Sequence, residues 1–347
     1  TYLKIRNLKS IDNNKESVPA RFKDVVTVEE YKKSIFYNTD RIKFQIFTSL
    51  FGSVVLIIFT IGGLLNYLTQ VVMDITPSNV LGAVLLGLLL IIVEEIISIP
   101  ISIYSTFVIE ERHGFNKTTK KTFVTDIFKG LLISGAISSI LYATVIFIII
   151  SAGDLWWIYA FAAVFTLQAI IFFLYPVLIM PLFNKFEPLD DEEFKKPIEK
   201  LLEKVDFKSK GLFVMNASLR STHGNAFFTG IGKNKRIVFF DTLLKTINPD
   251  EMEAILGHEL GHYKLGHIRK TLISSLVFGF LGFYILNEIF KSDNFFIAHG
   301  LENLTVYSKF LMFYLVIGSY TFFTKPITSA LSRKREFEAD DFSFQFT

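Results

Sequence analysis

Residue types suited to chemistry concentrate in one short motif, His258-Glu259-Leu260-Gly261-His262. Positions i and i+4 of an α-helix lie one turn apart on the same face, so both imidazoles can bind a single metal ion. The carboxylate of Glu259 projects beside them, where it can take a proton from a water on that ion. Two neutral nitrogen ligands, a general base and an open coordination position are typical of zinc metalloproteases. The structural alternative is a pair of surface histidines on an amphipathic helix.

A catalytic zinc requires a third protein ligand, and the absence of cysteine leaves His, Asp or Glu. We expect His299 on the other side of a membrane, and His267 would lie about 140° from His262 around a continuous helix. Glu336 and Asp340 share a helix face. One of their carboxylates can therefore bind the metal while the other accepts a hydrogen bond from a ligand histidine.

Two further observations bear on these acids. Glu338 lies between them in the sequence and would point elsewhere. The acids also have a purely structural interpretation, in which they neutralise the basic residues at 333–335. The upstream histidine motif favours metal binding, because the two spans predicted between His262 and Glu336 return both to the same side of a membrane.

Composition places the chain in a membrane. Of its 347 residues, 51% are hydrophobic and 20% are charged, and the mean hydropathy is +0.43. These values are too apolar for an ordinary soluble domain and exclude a disordered chain. The absence of cysteine excludes a disulfide scaffold, and a net charge of +3 argues against a nucleic-acid partner.

Six segments are long and apolar enough to span a bilayer, which takes roughly 20 residues. They are 44–73, 75–109, 130–153, 155–183, 271–290 and 310–330. Basic loops alternate with neutral ones in the order that six spans require, so we expect the 184–270 region on the cytoplasmic side. The predicted organisation is a cytosolic leader (1–43), four spans (44–183), a cytosolic zinc metalloprotease domain (184–270), two spans (271–330) and a C-terminal segment with the third ligand (331–347).

The polar region 184–270 is predicted to be a small α/β unit. Apolar residues at helical spacing predict a helix over 190–204, and short apolar runs predict strands at 211–215, 226–229 and 236–241. The turn Gly230-Ile-Gly-Lys-Asn-Lys joins the last two strands. Asn248-Pro-Asp-Glu is a helix start signal, and the helix that it begins carries the histidine motif.

Several motifs together resemble the integral-membrane CAAX prenyl endopeptidases of type 1, which are zinc metalloproteases. They are His258-Glu-Leu-Gly-His262, Asn225-Ala-Phe, Arg236-Ile-Val-Phe-Phe-Asp-Thr-Leu-Leu244, Pro181-Leu-Phe-Asn-Lys-Phe186, Glu110-Glu-Arg-His-Gly-Phe-Asn116 and Glu336-Phe-Glu-Ala-Asp340. The resemblance covers about residues 2–342. It implies a predominantly α-helical polytopic membrane protein, in which a ring of six to seven spans surrounds a large water-filled chamber. A small α/β, zincin-like (gluzincin) metalloprotease domain would cap that chamber.

The resemblance also implies roles for individual residues. His258, His262 and Glu336 would bind one Zn²⁺ per chain, with Glu259 as the general base and Asp340 holding a ligand histidine.

Bound peptide in that family lies along an edge strand, which corresponds to Asn225–Phe228 here, with Asn225, Ala226 and Phe227 as the candidate substrate-binding residues. An extended substrate can pair its backbone with such an open edge. His223 is the nearest candidate in the sequence for polarising the scissile carbonyl or binding substrate, and a structural histidine in a turn is an equally good interpretation.

Members of the family usually carry one more span before the leader and a further segment after the Glu-x-x-x-Asp motif. That segment contains a basic or histidine residue thought to help hold the oxyanion. We therefore expect a chain that is trimmed at both ends, or a degenerate relative.

The predicted function is zinc-dependent cleavage that removes the last three residues of prenylated CAAX proteins. The expected partners are a peptide or prenylated protein and the lipid bilayer, with no oligomer implied. The protease domain would face the cytoplasm, from the ER membrane of a eukaryote or the inner membrane of a bacterium. A heat-shock-type quality-control metalloprotease is the alternative enzyme, but it has about four spans. A channel or transporter is the non-enzymatic alternative, for which only Glu94 and Glu95 lie deep in a span.

Overall fold

The protein is predominantly helical. The computed structural model describes residues 1–229 and 235–346. The helices of this part of the chain are α1 (Tyr2–Asn13), α2 (Val28–Phe59), α3 (Leu64–Ile75), α4 (Asn79–Tyr104), α5 (Lys120–Ser151), α6 (Trp156–Leu174), α7 (Met180–Phe183), α8 (Glu192–Lys204), α9 (Asp241–Leu244), α10 (Pro249–Lys264), α11 (His267–Phe290), α12 (Asn294–Ala298), α13 (Val306–Tyr320) and α14 (Lys325–Phe346). The strands are β1 (Phe186–Pro188), β2 (Leu212–Met215), β3 (Ala226–Thr229) and β4 (Arg236–Phe240).

Six helical stretches are long and apolar enough to cross a membrane, which confirms the predicted number of spans. They are Val28–Phe59, Asn79–Glu110, Lys120–Ser151, Gly153–Phe183, His267–Phe290 and Val306–Phe346. The last of these contains the Glu336 region, so the C-terminal segment continues the sixth stretch.

The predicted first span, 44–73, is not one continuous helix. The first spanning helix begins at Val28, after a Thr27–Glu30 capping box, and ends at Phe59. The chain then breaks before α3, because Gly63 adopts a left-handed φ of 79°. A Cβ on the neighbouring Gly62 would lie only 2.7 Å from a carbonyl oxygen of α2. The hydropathy pattern predicted one continuous helix here, but the two adjacent glycines end it.

The two largest apolar cores of the described residues are formed by different parts of the chain. The first lies among the spanning helices and α3, with Leu65, Leu86, Ile146 and Met312 fully buried. The second lies between the sheet and helices α8 and α10. Its fully buried members include Ile198, Ile237, Phe239, Met252 and Leu256.

The four strands form one mixed sheet in the order β1-β2-β4-β3. Strands β2 and β4 are parallel, and β1 and β3 run antiparallel to their neighbours. The predicted strands at 211–215, 226–229 and 236–241 and the helix over 190–204 are confirmed, whereas β1 was not predicted. The predicted turn Gly230-Ile-Gly-Lys-Asn-Lys lies, except for Lys235, outside the described residues.

Candidate metal centre

Helix α10 is fixed at its start by strong capping. The Asn248 side chain accepts from the Glu251 backbone N–H, and the Glu251 carboxylate accepts from the Asn248 N–H, both at 2.9 Å. Pro249 occupies the first turn, where its missing N–H costs nothing. This capping confirms the predicted helix start. It sets the register that places His258 and His262 one turn apart.

Helix α14 approaches the histidine motif because small residues let the two backbones meet. A Cβ on Gly261 would lie 2.9 Å from the Cα of Ala339 and 3.0 Å from its carbonyl oxygen. Ala339 is completely buried. The Ser343 hydroxyl also donates to the Ala254 carbonyl at 2.9 Å. This contact brings two segments about eighty residues apart in sequence to one site.

Three donor atoms converge at the contact of α10 and α14. The Nε2 atoms of His258 and His262 are 3.1 Å apart. A carboxylate oxygen of Glu336 lies 3.4 Å from the first nitrogen and 3.5 Å from the second. Ligands placed tetrahedrally around Zn²⁺ at roughly 2.0–2.1 Å lie about 3.3 Å from one another. The donor set therefore fits a tetrahedral metal ion with its fourth position open.

The outer nitrogen of His258 is held by an acid from α14. Its Nδ1 lies 2.7 Å from a carboxylate oxygen of Asp340. A carboxylate at Nδ1 favours the tautomer with a hydrogen there, which leaves the Nε2 lone pair free for a metal. The structure thus places Asp340 behind His258, and its part in metal binding stays a prediction.

His262 is held differently, through a third histidine. Its Nδ1 lies 2.9 Å from Nδ1 of His267, and Nε2 of His267 lies 2.9 Å from a carboxylate oxygen of Glu338. The His267 side chain is almost completely buried. Thus neither His267 nor Glu338 belongs to the converging donor set: His267 lies directly behind His262, and Glu338 lies behind His267.

These two positions were not predicted from the sequence, because the angle between His262 and His267 assumes a continuous helix. Helix α10 ends at Lys264, and Gly266 adopts a left-handed φ of 67°. His267 begins a new helix, so the angle of about 140° does not apply. Glycine just beyond a helix end is a recognised stop signal, and Leu265-Gly266 could have revealed the break.

The environment of the motif shifts two of its pKa values. Burial raises the pKa of Glu259, His258 acts in the opposite direction, and the Glu336 carboxylate adds to the increase. Burial also lowers the pKa of His262, against the effect of Glu336. A carboxyl group with a raised pKa is a better proton acceptor, and a neutral imidazole is the form that binds metal.

The candidate substrate strand is an edge of the sheet. Strand β3 pairs with β4 on one side, and no other described strand lies on its opposite side. Ala226 is buried, whereas Phe227 points to the opposite face and lines a cavity of about 480 Å³ at the end of the fourth spanning stretch. Asn225 precedes the strand, and its carbonyl accepts from the Phe240 N–H at 2.9 Å. The edge is open for pairing, and the roles of these residues stay predictions.

His223 lies in a different cluster from the converging donors. Its Nε2 is 3.1 Å from a Glu110 carboxylate oxygen and 3.3 Å from the Tyr37 hydroxyl. Its ring stacks on Phe115, with centroids 4.3 Å apart. The described contacts join His223 to Tyr37 of α2 and to Glu110 at the end of the second spanning stretch, so its role with substrate stays a prediction.

Two family descriptions together cover the chain. The family "CAAX prenyl protease N-terminal, five membrane helices" matches residues 7–185. Peptidase family M48 matches residues 188–347.

Individual relatives agree along nearly the whole chain. The CAAX prenyl protease 1 homolog of Arabidopsis thaliana is 34% identical, over 99% of this chain and 82% of its own length. CAAX prenyl protease 1 of Saccharomyces cerevisiae is 33% identical, over 99% and 81%. The crystal structure of Ste24p from S. mikatae superposes with a TM-score of 0.91 at 30% identity, over 99% of this chain and 84% of that one.

Proposed function

This chain belongs to peptidase family M48 and is a membrane metalloendopeptidase of the CAAX-processing type. We propose that it uses zinc to remove the last three residues of prenylated CAAX proteins. The observation that carries the proposal is the convergence of two imidazoles and one carboxylate at mutual distances of 3.1–3.5 Å. Six spanning stretches also favour this activity over the heat-shock type of protease, which has fewer spans.

We propose that His258, His262 and Glu336 hold the ion and that Asp340 orients His258. Bound zinc would supply a Lewis acid that polarises the scissile carbonyl and makes water acidic near neutral pH. The metalloprotease unit would comprise residues 184–270, with Glu336 and Asp340 contributed by 331–347. The Glu336 side chain is about half exposed, so the ion would be reachable by substrate.

Glu259 would move the proton during cleavage. Its carboxylate accepts a proton from the attacking water as the new C–O bond forms at the scissile carbonyl. As the peptide C–N bond breaks, Glu259 passes that proton to the leaving nitrogen. The products are a new carboxyl terminus and a tripeptide with a free amine. The raised pKa of Glu259 suits both transfers, because the group can hold the proton between them.

The open edge of β3 would position the substrate. An extended peptide that adds to this edge gains backbone hydrogen bonds that do not depend on its side chains. Asn225, Ala226 and Phe227 would therefore contact substrate mainly through their backbone. This mode suits an enzyme whose substrates vary in the residues that are removed.

The direct test uses two synthetic peptides that differ only in farnesylation of one cysteine. Mass spectrometry of the digest should show loss of three residues from the farnesylated peptide, and much slower loss from its unmodified twin. A chelator should abolish the reaction, and added Zn²⁺ should restore it. Equal cleavage of both peptides would contradict a prenyl-specific enzyme, and chelator-resistant cleavage would contradict a metalloenzyme.

We also propose that the protease region faces the cytoplasm, from the ER membrane of a eukaryote or the inner membrane of a bacterium. The supporting pattern is the excess of basic residues in the leader and in 184–270, compared with the neutral turns between spans. The chain has no cysteine, so single cysteines can report topology without background. In sealed vesicles, an impermeant maleimide should label Lys208→Cys from the cytoplasmic face and Ser292→Cys from the other face. Labelling of both from one face would contradict this orientation.

A further inference from the structure

The two histidines of the motif are supported in different ways. His258 contacts an acid directly, through the 2.7 Å contact of its Nδ1 with Asp340. No carboxylate of the described residues contacts Nδ1 of His262. That nitrogen contacts His267 instead, which in turn contacts Glu338. The second arrangement is longer by one imidazole, and it uses a residue from the start of the next helix.

We propose that His267 and Glu338 form a positioning relay that fixes the tautomer and the ring orientation of His262 for metal binding. The proposal rests on the proposed zinc site. His267 and Glu338 are positioning residues, because both act through His262 and neither belongs to the converging donor set.

Only one placement of hydrogens on the two neutral imidazoles allows His262 to bind a metal. His262 must present the lone pair of Nε2 to the ion, so its Nδ1 carries the hydrogen and donates it. Nδ1 of His267 must then accept, which leaves the hydrogen of a neutral His267 on Nε2. That nitrogen donates to Glu338, whose carboxylate can only accept. The reverse arrangement would put a hydrogen on Nε2 of His262, where the ion binds.

Burial of His267 stabilises this placement of the hydrogens. The side chain of His267 is only 4% exposed, so water does not compete for its ring nitrogens. Glu338 is 35% exposed and also lies 3.8 Å from Lys334 and 4.0 Å from Lys270. The acid is thus accessible enough to be substituted without opening a core cavity, whereas His267 is not.

The test is zinc affinity, measured by competition with a chromophoric chelator on the purified full chain in detergent. Glu338→Ala should weaken zinc binding about ten- to a hundredfold, the usual effect of removing a group behind a ligand. Glu338→Gln should restore part of the loss, because its amide oxygen still accepts from His267. Asp341→Ala removes an exposed acid of the same helix, and Lys334→Ala removes an ion-pair partner of Glu338. Both should bind zinc like the parent chain.

A second pair of variants tests the middle of the relay. His267→Asn retains an acceptor near the position of Nδ1, whereas His267→Leu retains only bulk, so the Asn variant should bind zinc more tightly. Visible absorption of the Co²⁺-loaded protein should change for Glu338→Ala and less for Glu338→Gln, because ligand orientation sets this spectrum. If a His267 variant fails to fold, the Glu338 variants still test whether the relay supports zinc binding.

Three results would overturn the relay. Glu338→Ala could bind zinc within twofold of the parent chain, or Asp341→Ala could lose as much affinity, which would show a general charge effect. The Co²⁺ spectrum could also stay unchanged in Glu338→Ala. Failure of the parent chain itself to bind zinc would instead overturn the proposed metal site, and the relay with it.

Discussion

Two regions of this molecule pair histidines with acids from distant segments. In the metal cluster (His258, His262 and Glu336), three donor atoms face one point at mutual distances of 3.1–3.5 Å. In the span-end cluster (Tyr37, Glu110 and His223), the Glu110 carboxylate accepts from the Tyr37 hydroxyl at 2.8 Å and lies 3.1 Å from the His223 ring nitrogen. Within the described part of the chain, only the first set converges in this way.

The difference lies in where the lone pairs point. In the span-end cluster, the Glu110 carboxylate, the Tyr37 hydroxyl and Nε2 of His223 contact one another, which joins α2 and the end of the second spanning stretch to the segment before β3. In the metal cluster, the outer nitrogens are used by Asp340 and His267, so the inner nitrogens stay available. Nearness of histidine to an acid therefore does not define a metal site; convergence of free donors does.

Glu259→Gln should give the largest effect and test whether the metal cluster performs chemistry. The amide cannot accept the proton, so cleavage of a farnesylated peptide should fall by about 10²–10⁴-fold. Zinc content should stay at the level of the parent chain, because Glu259 is not among the converging donors. Retained cleavage would refute the assigned base.

Glu336→Ala should remove a ligand and so weaken zinc by more than the roughly hundredfold upper value for groups behind a ligand. Inductively coupled plasma mass spectrometry of the purified variant, beside Asp341→Ala, measures this loss. Full zinc occupancy in the Glu336 variant would show that another residue is the third ligand.

Asp340→Ala should have a smaller effect, because His258 can still bind with a less well fixed ring. We expect zinc affinity to fall about ten- to a hundredfold, as measured by chelator competition. An affinity equal to that of the parent chain would show that the 2.7 Å contact with His258 is not used.

Gly261→Ala tests whether the close approach of α10 and α14 assembles the metal cluster. The new Cβ would meet the Ala339 backbone at 2.9 Å, so the helices must separate, at a cost of about 1–3 kcal/mol. Zinc affinity and melting temperature should both fall. Gly282→Ala is the matched control, because nothing lies within 4 Å of its added Cβ. Equal zinc affinities and melting temperatures of the two variants would contradict a role for this close approach in assembling the metal cluster.

Glu110→Gln should have the smallest effect on the metal and so sharpens the comparison. Loss of the charge weakens the contacts with Tyr37 and His223, and we expect a stability loss of about 1 kcal/mol. Thermal melting detects this loss, whereas zinc affinity should not change. A large drop in zinc affinity would contradict this expectation and show that the span-end cluster affects metal binding.

Much of the site was predictable because it depends on local periodicity. The spacing of His258 and His262, and the Asn248 cap, are properties of one helix, and helix geometry is the same in every protein. The six spans followed from hydropathy, since a bilayer requires a minimum apolar length. The boundary of the first span did not follow, because hydropathy cannot detect the turn that Gly62 and Gly63 impose within an apolar run.

The sequence by itself predicted the two candidate donors on α10, the candidate base and the number of spanning stretches, because each depends on a local pattern within one helix. From the residues alone it left Glu336 and Asp340 interchangeable, and it gave His267 and Glu338 no role. Only the tertiary structure distinguishes their positions, with Glu336 beside the inner nitrogens and Asp340, His267 and Glu338 behind the imidazoles. The approach of Gly261 to Ala339 sets how α14 lies across α10, and a left-handed Gly266 turns His267 back towards His262. Such contacts depend on backbone proximity between distant segments, which no local pattern encodes.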